Sequence, residues 1–491
     1  MKEESHEEGL LQGDISDVRI NATSARPTDL TNSNKDSELI KEDKLEQNIK
    51  LTPYRFIIVI IYFLLNFING MHWVTFASCA AKFGKFYHLN NFLVDSFSLI
   101  FMALYPICCI PEAYIIDNIS MRIGLTISAL LLIAGAFLKI FINTSITFAY
   151  IGQFLTAVFQ PAILNSPGKI AATWFNEERR TIVTSICCVS NTIGIMIGYL
   201  IHDFVIEENI VNPKMFRDAF EVYLLIEFII TTGFCLIFIF LMRNRPKNPP
   251  SISQDKYQPT SLREGIKKLI SNKNFIKLLI SLTCIVGFIN IFGTIFNSYM
   301  ALYKIKDSTA TYTAASANLF GIITALVVGG VIDKFKKYKD SMIICNSISL
   351  FIFIITTLIM ESIDKKSLGK ASFICYTLII GSSVPIYTSG MDYVCEITYP
   401  VGESISEGII MCFNQIMGII GIIICDSFRT YLKKYKFMTN LFCILLFTIS
   451  LISLYFVDSE LVRNLEDNKN KKQIKDKEEE KEEENERLKI E

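Results

Sequence analysis

Asn66, Asn69 and Trp73 recur at i, i+3 and i+7 inside a long apolar run, so in a helix they share one face. His72 lies off that stripe. An indole face attracts a quaternary ammonium group by about 0.5–2 kcal/mol without a counter-charge. The plainer reading is packing, with a neighbouring amide accepting the indole N–H. Gln153 and Gln160 are seven residues apart, and Pro161 and Pro167 beside them bend or break a helix. Asn290 and Thr294 share a face, with Phe288 and Phe292 interleaved; Asn414 and Gln415 precede Gly418 and Gly421. Asn191, Gly194 and Gly198 place one amide above small residues, a pattern read as close helix packing. Together these residues predict a chamber of amides, one Trp and Phe rings, suited to a small amphipathic or cationic solute. No Lys or Arg is expected mid-membrane to grip phosphate or carboxylate. Asp95, Glu112, Glu227, Asp392 and Glu396 fall near the ends of apolar blocks and are read as solvated or latching groups.

The elements that must position these groups are apolar blocks. Of 491 residues, 51% are apolar, and the mean hydropathy is +0.38. Twelve blocks, from the one starting at Phe56 to the one ending at Val457, have the length that crosses a hydrocarbon core of about 30 Å. Lipid offers the backbone no hydrogen-bond partner, and the blocks lack period-2 alternation, so an all-α membrane bundle of twelve helices is predicted. Lys plus Arg and Asp plus Glu both number 48, which leaves no basic face for nucleic acid. The 13 Cys form no CxxC pair and are read as small buried hydrophobes. No Ser-His-Asp set, paired carboxylates or metal-ligand spacing occurs in the blocks, so neither enzyme chemistry, a metal nor a cofactor is expected.

Polar interruptions divide the chain. Residues 1–52 read as a disordered cytosolic tail, 53–242 as a six-helix bundle, 243–273 as a cytosolic linker with a short amphipathic helix, 274–457 as a second six-helix bundle, and 458–491 as a charged disordered tail. The halves look duplicated: Tyr114-Ile-Ile-Asp117 followed by Met121-Arg122 matches Gly330-Val-Ile-Asp333 followed by Lys334 and Lys336. Asp117, Arg122, Asp333 and Lys334 are therefore expected to form a conformational latch of the kind found in the major facilitator superfamily. Basic residues crowd the linker, which puts both termini in the cytosol, with the plasma membrane expected as the location.

The Asn69-x-x-x-Trp73 stripe, the run Ala162 to Phe175 (AILNSPGKIAATWF) and Glu396-Ile-Thr-Tyr-Pro400 resemble the feline leukaemia virus subgroup C receptor-related family over nearly all of residues 54–457. These are major facilitator carriers linked to choline, ethanolamine and heme. The resemblance implies a fold of two six-helix halves and a substrate cavity at Trp73, Gln160 and Gln415. The family's cavity Tyr on the seventh helix is replaced by Asn290. The expected function is alternating-access transport of choline or a related amino alcohol by a monomer in a lipid bilayer, with Trp73, Asn69, Gln160, Asn290, Thr294, Phe292 and Gln415 around the substrate. Heme export, with His72 as the ligand, is the alternative; a transporter-like receptor or sensor is the alternative of another class.

Overall fold

The computed structural model describes residues 52–77, 80–89, 91–205, 212–250, 261–303, 305, 307–362, 365–431, 437–469 and 472. The amino-terminal tail expected over 1–52 lies outside them, apart from Thr52.

The described residues are helical throughout. In chain order they are α1 (Tyr54–Val74), α2 (Ala80–Tyr87), α3 (Asn91–Tyr114), α4 (Met121–Ile140), α5 (Ile146–Val158), α6 (Gln160–Leu164), α7 (Pro167–Trp174), α8 (Arg180–Val205), α9 (Pro213–Leu241), α10 (Leu262–Ser271), α11 (Lys273–Leu302), α12 (Asp307–Phe335), α13 (Tyr338–Ser362), α14 (Lys365–Thr398), α15 (Glu403–Tyr431) and α16 (Phe437–Tyr455). A final helix, α17, covers residues 462–469. By length and composition twelve spans can cross a membrane: α1, α3, α4, α5 with α6, α8, α9 and α11 to α16. Their outer surface is apolar: Phe240 is 78% exposed, Ile107 71% and Phe351 65%. A continuous surface of that kind is stable against acyl chains and aggregates in water.

Each half has its own core. Ile58, Leu65, Leu125, Ile163 and Phe238 pack in the amino-terminal half. Phe288, Phe292, Phe353, Tyr376 and Phe447 pack in the carboxyl-terminal half. The halves meet where α3 lies on α15 and α8 on α12.

Within the first half, α1 and α8 cross with almost no side chain between them. A Cβ placed on Gly194 would run into the Phe67 carbonyl, and one on Gly198 would press on Val74 and Met71. The small residues of α8 therefore serve packing, as their spacing predicts. Gly194→Ala is expected to lower stability by about 1–3 kcal/mol, because backbone cannot yield as a side chain does. Gly233→Ala, with open space around it, is the control and should melt at or above the parent temperature in detergent. Equal melting of the two variants would remove the close crossing from the account.

Asp117 sits in a wide π turn, Ile115–Ile119, that ends the second span. Such turns widen the helix to re-aim a side chain. The fourth span breaks between α5 and α6, where Phe159 leaves helical geometry ahead of Gln160 and Pro161. It breaks again before Pro167. Proline has no N–H and is tolerated only in the first turn of a helix, so α6 restarts one residue before Pro161 and α7 restarts at Pro167.

One expectation about the tail is corrected. Residues 462–469 are not disordered: they form α17, and Arg463 and Asp467 are each 1% exposed. Charge-rich composition hides this segment, because two of its charged residues, Arg463 and Asp467, are matched by a buried seam that composition does not reveal. Residues beyond 472 lie outside the described residues.

Candidate functional site

The amides of the first span converge with those of the fourth and fifth. Asn69 is fully buried, and its Oδ1 accepts from Gln160 Nε2 at 3.3 Å and from Asn191 Nδ2 at 3.3 Å. Asn191 also donates to Asn66 Oδ1 at 3.1 Å, while Asn66 Nδ2 donates to the Cys187 carbonyl at 2.9 Å. Asn69 Nδ2 is buried without a hydrogen-bond partner. A buried donor left unmade costs about 1–3 kcal/mol. Trp73 stands one turn above Asn69 on the same face and is half-buried.

Gln160 is positioned by the broken fourth span. The break frees backbone N–H groups, and two acids take them: Glu112 from α3 accepts from Ala162 N–H at 2.8 Å, and Glu407 from α15 accepts from Gly168 N–H at 3.0 Å. Tyr105 on α3 donates to Asn165 Oδ1 at 2.5 Å. The second of these acids comes from the opposite half, so the irregular span is braced from both sides.

The expected residues of the second half separate into two groups. Asn290 is half-buried with its Nδ2 unpaired, and Thr294 is exposed, its hydroxyl donating to the Asn290 carbonyl at 2.9 Å. Gln415 is half-buried, whereas its neighbour Asn414 is fully buried and leans on Met411 Sδ. Phe292 does not line a chamber. It is 2% exposed and packs against Phe288, Phe353 and Tyr376 in the second core, because two residues from Asn290 on a helix is nearly the opposite face.

No cation was expected mid-membrane, but a buried one stands near the end of a span. Lys139, in the last turn of α4, is fully buried, with Nζ 3.3 Å from Glu227 Oε2 and 2.7 Å from His72 Nδ1. Thr75 donates to Glu227 Oε1 at 2.6 Å, and His72 Nε2 meets Thr231 Oγ1 at 2.9 Å. Glu227 is 1% exposed rather than solvated. A charged pair this deep persists only when every member is paired, which three helices here achieve together. Gln153, read as a candidate wall residue, instead donates to the His72 and Phe97 carbonyls. The lone Lys139 near the end of an apolar block was the available signal.

At the end of the bundle that carries the linker, the duplicated Asp residues do reciprocal work. Asp117, from the first half, accepts from the N–H groups of Ser404 and Ile405 at the start of α15, at 3.3 and 3.0 Å. Asp333, from the second half, accepts from Thr181 and Ile182 at the start of α8, at 3.0 and 2.8 Å. Each acid thus caps a helix N-terminus of the other half, where free N–H groups and the helix dipole favour an anion. The cations beside these acids are only in part the expected ones. Arg122 and Lys334 are exposed and, among the described residues, pair with no carboxylate. Lys169 joins Asp117 at 3.5 Å and Glu403 at 3.0 Å, and Lys336 stands 3.6 Å from Asp333. A helix turn decides this: Arg122 begins α4 and points outward, whereas Lys169 on α7 looks across the seam.

More acids and bases fill the same seam. Thr181 and Tyr338 both donate to Asp392, at 2.7 and 2.6 Å. Arg180 lies 3.5 Å from Glu396, and Arg463 3.2 Å from Glu403. Burial opposes the charge of Arg463, yet Glu403 and Glu396 more than offset it and hold its proton affinity above the ordinary guanidinium value. Lys169, Arg180, Glu403 and Arg463 are absent from the sequence-based set. The first lies in the quoted run AILNSPGKIAATWF, immediately after Pro167-Gly168.

The family model of the Major Facilitator Superfamily matches residues 58–422. The chain belongs to that superfamily. The choline/ethanolamine transporter flvcr2a of Danio rerio is 26% identical over 428 residues, covering 84% of this chain and 88% of that protein. The human choline/ethanolamine transporter FLVCR2 is 27% identical over 447 residues, covering 87% and 82%. Solute carrier family 49 member A3 of Danio rerio is 25% identical, covering 78% and 81%. The resemblance read from the motifs thus extends over most of the chain. Among solved structures, the major facilitator transporter FucP in the outward conformation superposes with a TM-score of 0.67 at 14% identity, over 82% of this chain and 99% of that one. That likeness shows the fold of this superfamily member, twelve spans in two halves.

Proposed function

We propose that this major facilitator protein carries choline or a related amino alcohol such as ethanolamine, by alternating access of one central site. The observation that carries the reading is the half-buried Trp73 indole one turn above the Asn69, Gln160 and Asn191 amides, with a donor of Asn69 left unpaired. The similarity to proteins named as choline/ethanolamine transporters supports it. Trp73 is the cation wall, Asn69 and Gln160 hold the substrate hydroxyl, and Asn290, Thr294 and Gln415 close the site from the other half. Phe292 backs Asn290 from within the second core. Asp117 and Asp333 are the latch, with Lys169 and Lys336 taking the part expected of Arg122 and Lys334. A monomer in the plasma membrane with both termini cytosolic completes the reading.

Chemistry favours an amino alcohol over an anionic macrocycle. Lys139, the buried cation beside the first span, is already matched by Glu227. Both ring nitrogens of His72 are engaged, by Lys139 and by Thr231, which leaves no lone pair for heme iron.

Uptake of labelled choline and ethanolamine into cells expressing the protein is the test. Trp73→Ala is expected to raise KM about 2- to 30-fold, the range spanned by a cation–π contact of about 0.5–2 kcal/mol, with Trp73→Phe between it and the parent. Parental KM in Trp73→Ala would remove the indole from the site, and no uptake of either compound by the parent would sink the amino-alcohol reading.

A further inference from the structure

The chain after α16 does not leave the bundle. Lys339 Nζ donates to the Val457 carbonyl at 2.6 Å, and Tyr393 donates to the Asp458 carbonyl at 2.9 Å, turning the segment back across the linker-bearing end. It then enters α17, where Arg463 and Asp467 are four residues apart and so face the same way. That face is buried. Arg463 Nη2 reaches Glu403 Oε1 at 3.2 Å, its guanidinium lies 5.8 Å from the Tyr399 ring, and Asn464 N–H donates to Glu396 Oε2 at 3.2 Å. All three partners belong to the second half. Asp467 Oδ2 instead meets Arg180 Nη1 at 3.5 Å, and Arg180 opens α8 of the first half.

We propose that residues 458–469 are a bolt on the linker-side gate, with Arg463 seated permanently in the second half and Asp467 gripping Arg180 only while that gate is shut. The proposal rests on the alternating-access reading. When the halves part at this end, Arg180 and Lys169 move away from Glu396 and Glu403, each losing a cation that sits within 3.5 Å. Arg463 stays beside Glu403 and the Asn464 N–H stays on Glu396, so neither buried carboxylate of the second half is left without a partner. Of the contacts given above for this segment, the one that crosses between the halves, and so breaks in each cycle, is Asp467 to Arg180. Removing Asp467 therefore favours the open gate, whereas removing Arg463 raises the cost of opening it. Arg463 and Asp467 are positioning residues: neither lies beside Trp73 or Gln160 in the chain or among their hydrogen-bond partners.

Hydrogen exchange of the full-length protein in lipid nanodiscs tests this, with Asp467→Asn, Arg463→Gln, Arg463→Lys and a stop after Glu460. Asp467→Asn is expected to speed exchange of amides in 166–182 and 396–407 by about tenfold, the effect of one charge-assisted bond of about 1.5 kcal/mol, with exchange in α4 and α9 unchanged. Arg463→Gln should slow opening, and Arg463→Lys should restore it in part. The truncated chain keeps every transmembrane helix, so it remains informative if a point variant misfolds; it lacks both residues and should exchange faster than Arg463→Gln and slower than Asp467→Asn, and exchange no faster than in Arg463→Gln would overturn the bolt. Unchanged exchange at the seam in both the truncation and Asp467→Asn would overturn the bolt whatever the uptake result. Faster exchange in a protein that takes up no choline would keep the bolt and discard only the substrate.

Discussion

Glu227→Gln is expected to destabilise the folded protein by about 3–5 kcal/mol, the usual result of breaking a buried ion pair by removing one partner. Lys139 is wholly enclosed, and its Nζ has Glu227 at 3.3 Å as its only carboxylate among the described ion pairs. The amide keeps the size of the side chain and a hydrogen-bonding oxygen for Thr75, but not the charge. Lys139 must then either stay charged in a low-dielectric site or surrender its proton. His72 does not rescue it, because Nδ1 already serves Lys139 as an acceptor and Nε2 is turned to Thr231. The pair also ties α1 to α4 and α9 just where Trp73 projects, so loosening it should disturb the substrate wall as well. Adding Lys139→Met to Glu227→Gln removes the orphaned charge and should recover most of the loss, a non-additivity diagnostic of direct contact. Thermal unfolding in detergent micelles reads both. A single variant within 1 kcal/mol of the parent, an allowance for ordinary surface substitutions of about 0.5 kcal/mol, would mean the pair is not stabilising.

Asp117→Ala and Asp333→Ala are expected to shift the equilibrium between gate-shut and gate-open conformers by about 10- to 100-fold each, since each acid makes two bonds to N–H groups across the seam and a hydrogen bond to a charged group is worth about 1.5–3 kcal/mol. The two acids cap different helices and share no partner, so the double variant should shift the ratio by about 10²- to 10⁴-fold. Distances between spin labels on the linker-side ends of α4 and α12, measured by pulsed electron resonance, report the populations. Arg122→Gln and Lys334→Gln are the controls and should leave the distribution alone, because both side chains are exposed and, among the described residues, pair with no carboxylate. A shift in the controls as large as in the Asp variants would restore the original assignment of the latch and sink this one.

The two expectations fail differently because the sequence carries different information about each. Asp117 and Asp333 were legible through duplication: two short turns with the same order of residues at the ends of corresponding spans. Their cations were legible only in part: Lys336 follows Asp333 by three residues and does reach it, whereas Arg122 follows Asp117 in the chain but is exposed at the start of the next helix. Lys169 is 52 positions from Asp117 and reaches it only because the fourth span breaks and restarts at Pro167. The same reasoning explains α17. Its composition is that of a solvated tail, and its order comes from Glu396, Glu403 and Arg180, which are distant in the chain.

Length and oiliness of the blocks determined the twelve helices, because a backbone in lipid has no hydrogen-bond partner but itself, and the i, i+3, i+4 rule determined that Asn66, Asn69 and Trp73 share a face. Proline positions determined where the fourth span breaks. Which cation meets which acid, that Lys139 and Glu227 are buried together, that Phe292 turns into a core and that the last helix returns to the seam were decided only by tertiary structure. Those are contacts between elements far apart in the chain, and a pair energy depends on distance and burial, neither of which a linear pattern contains.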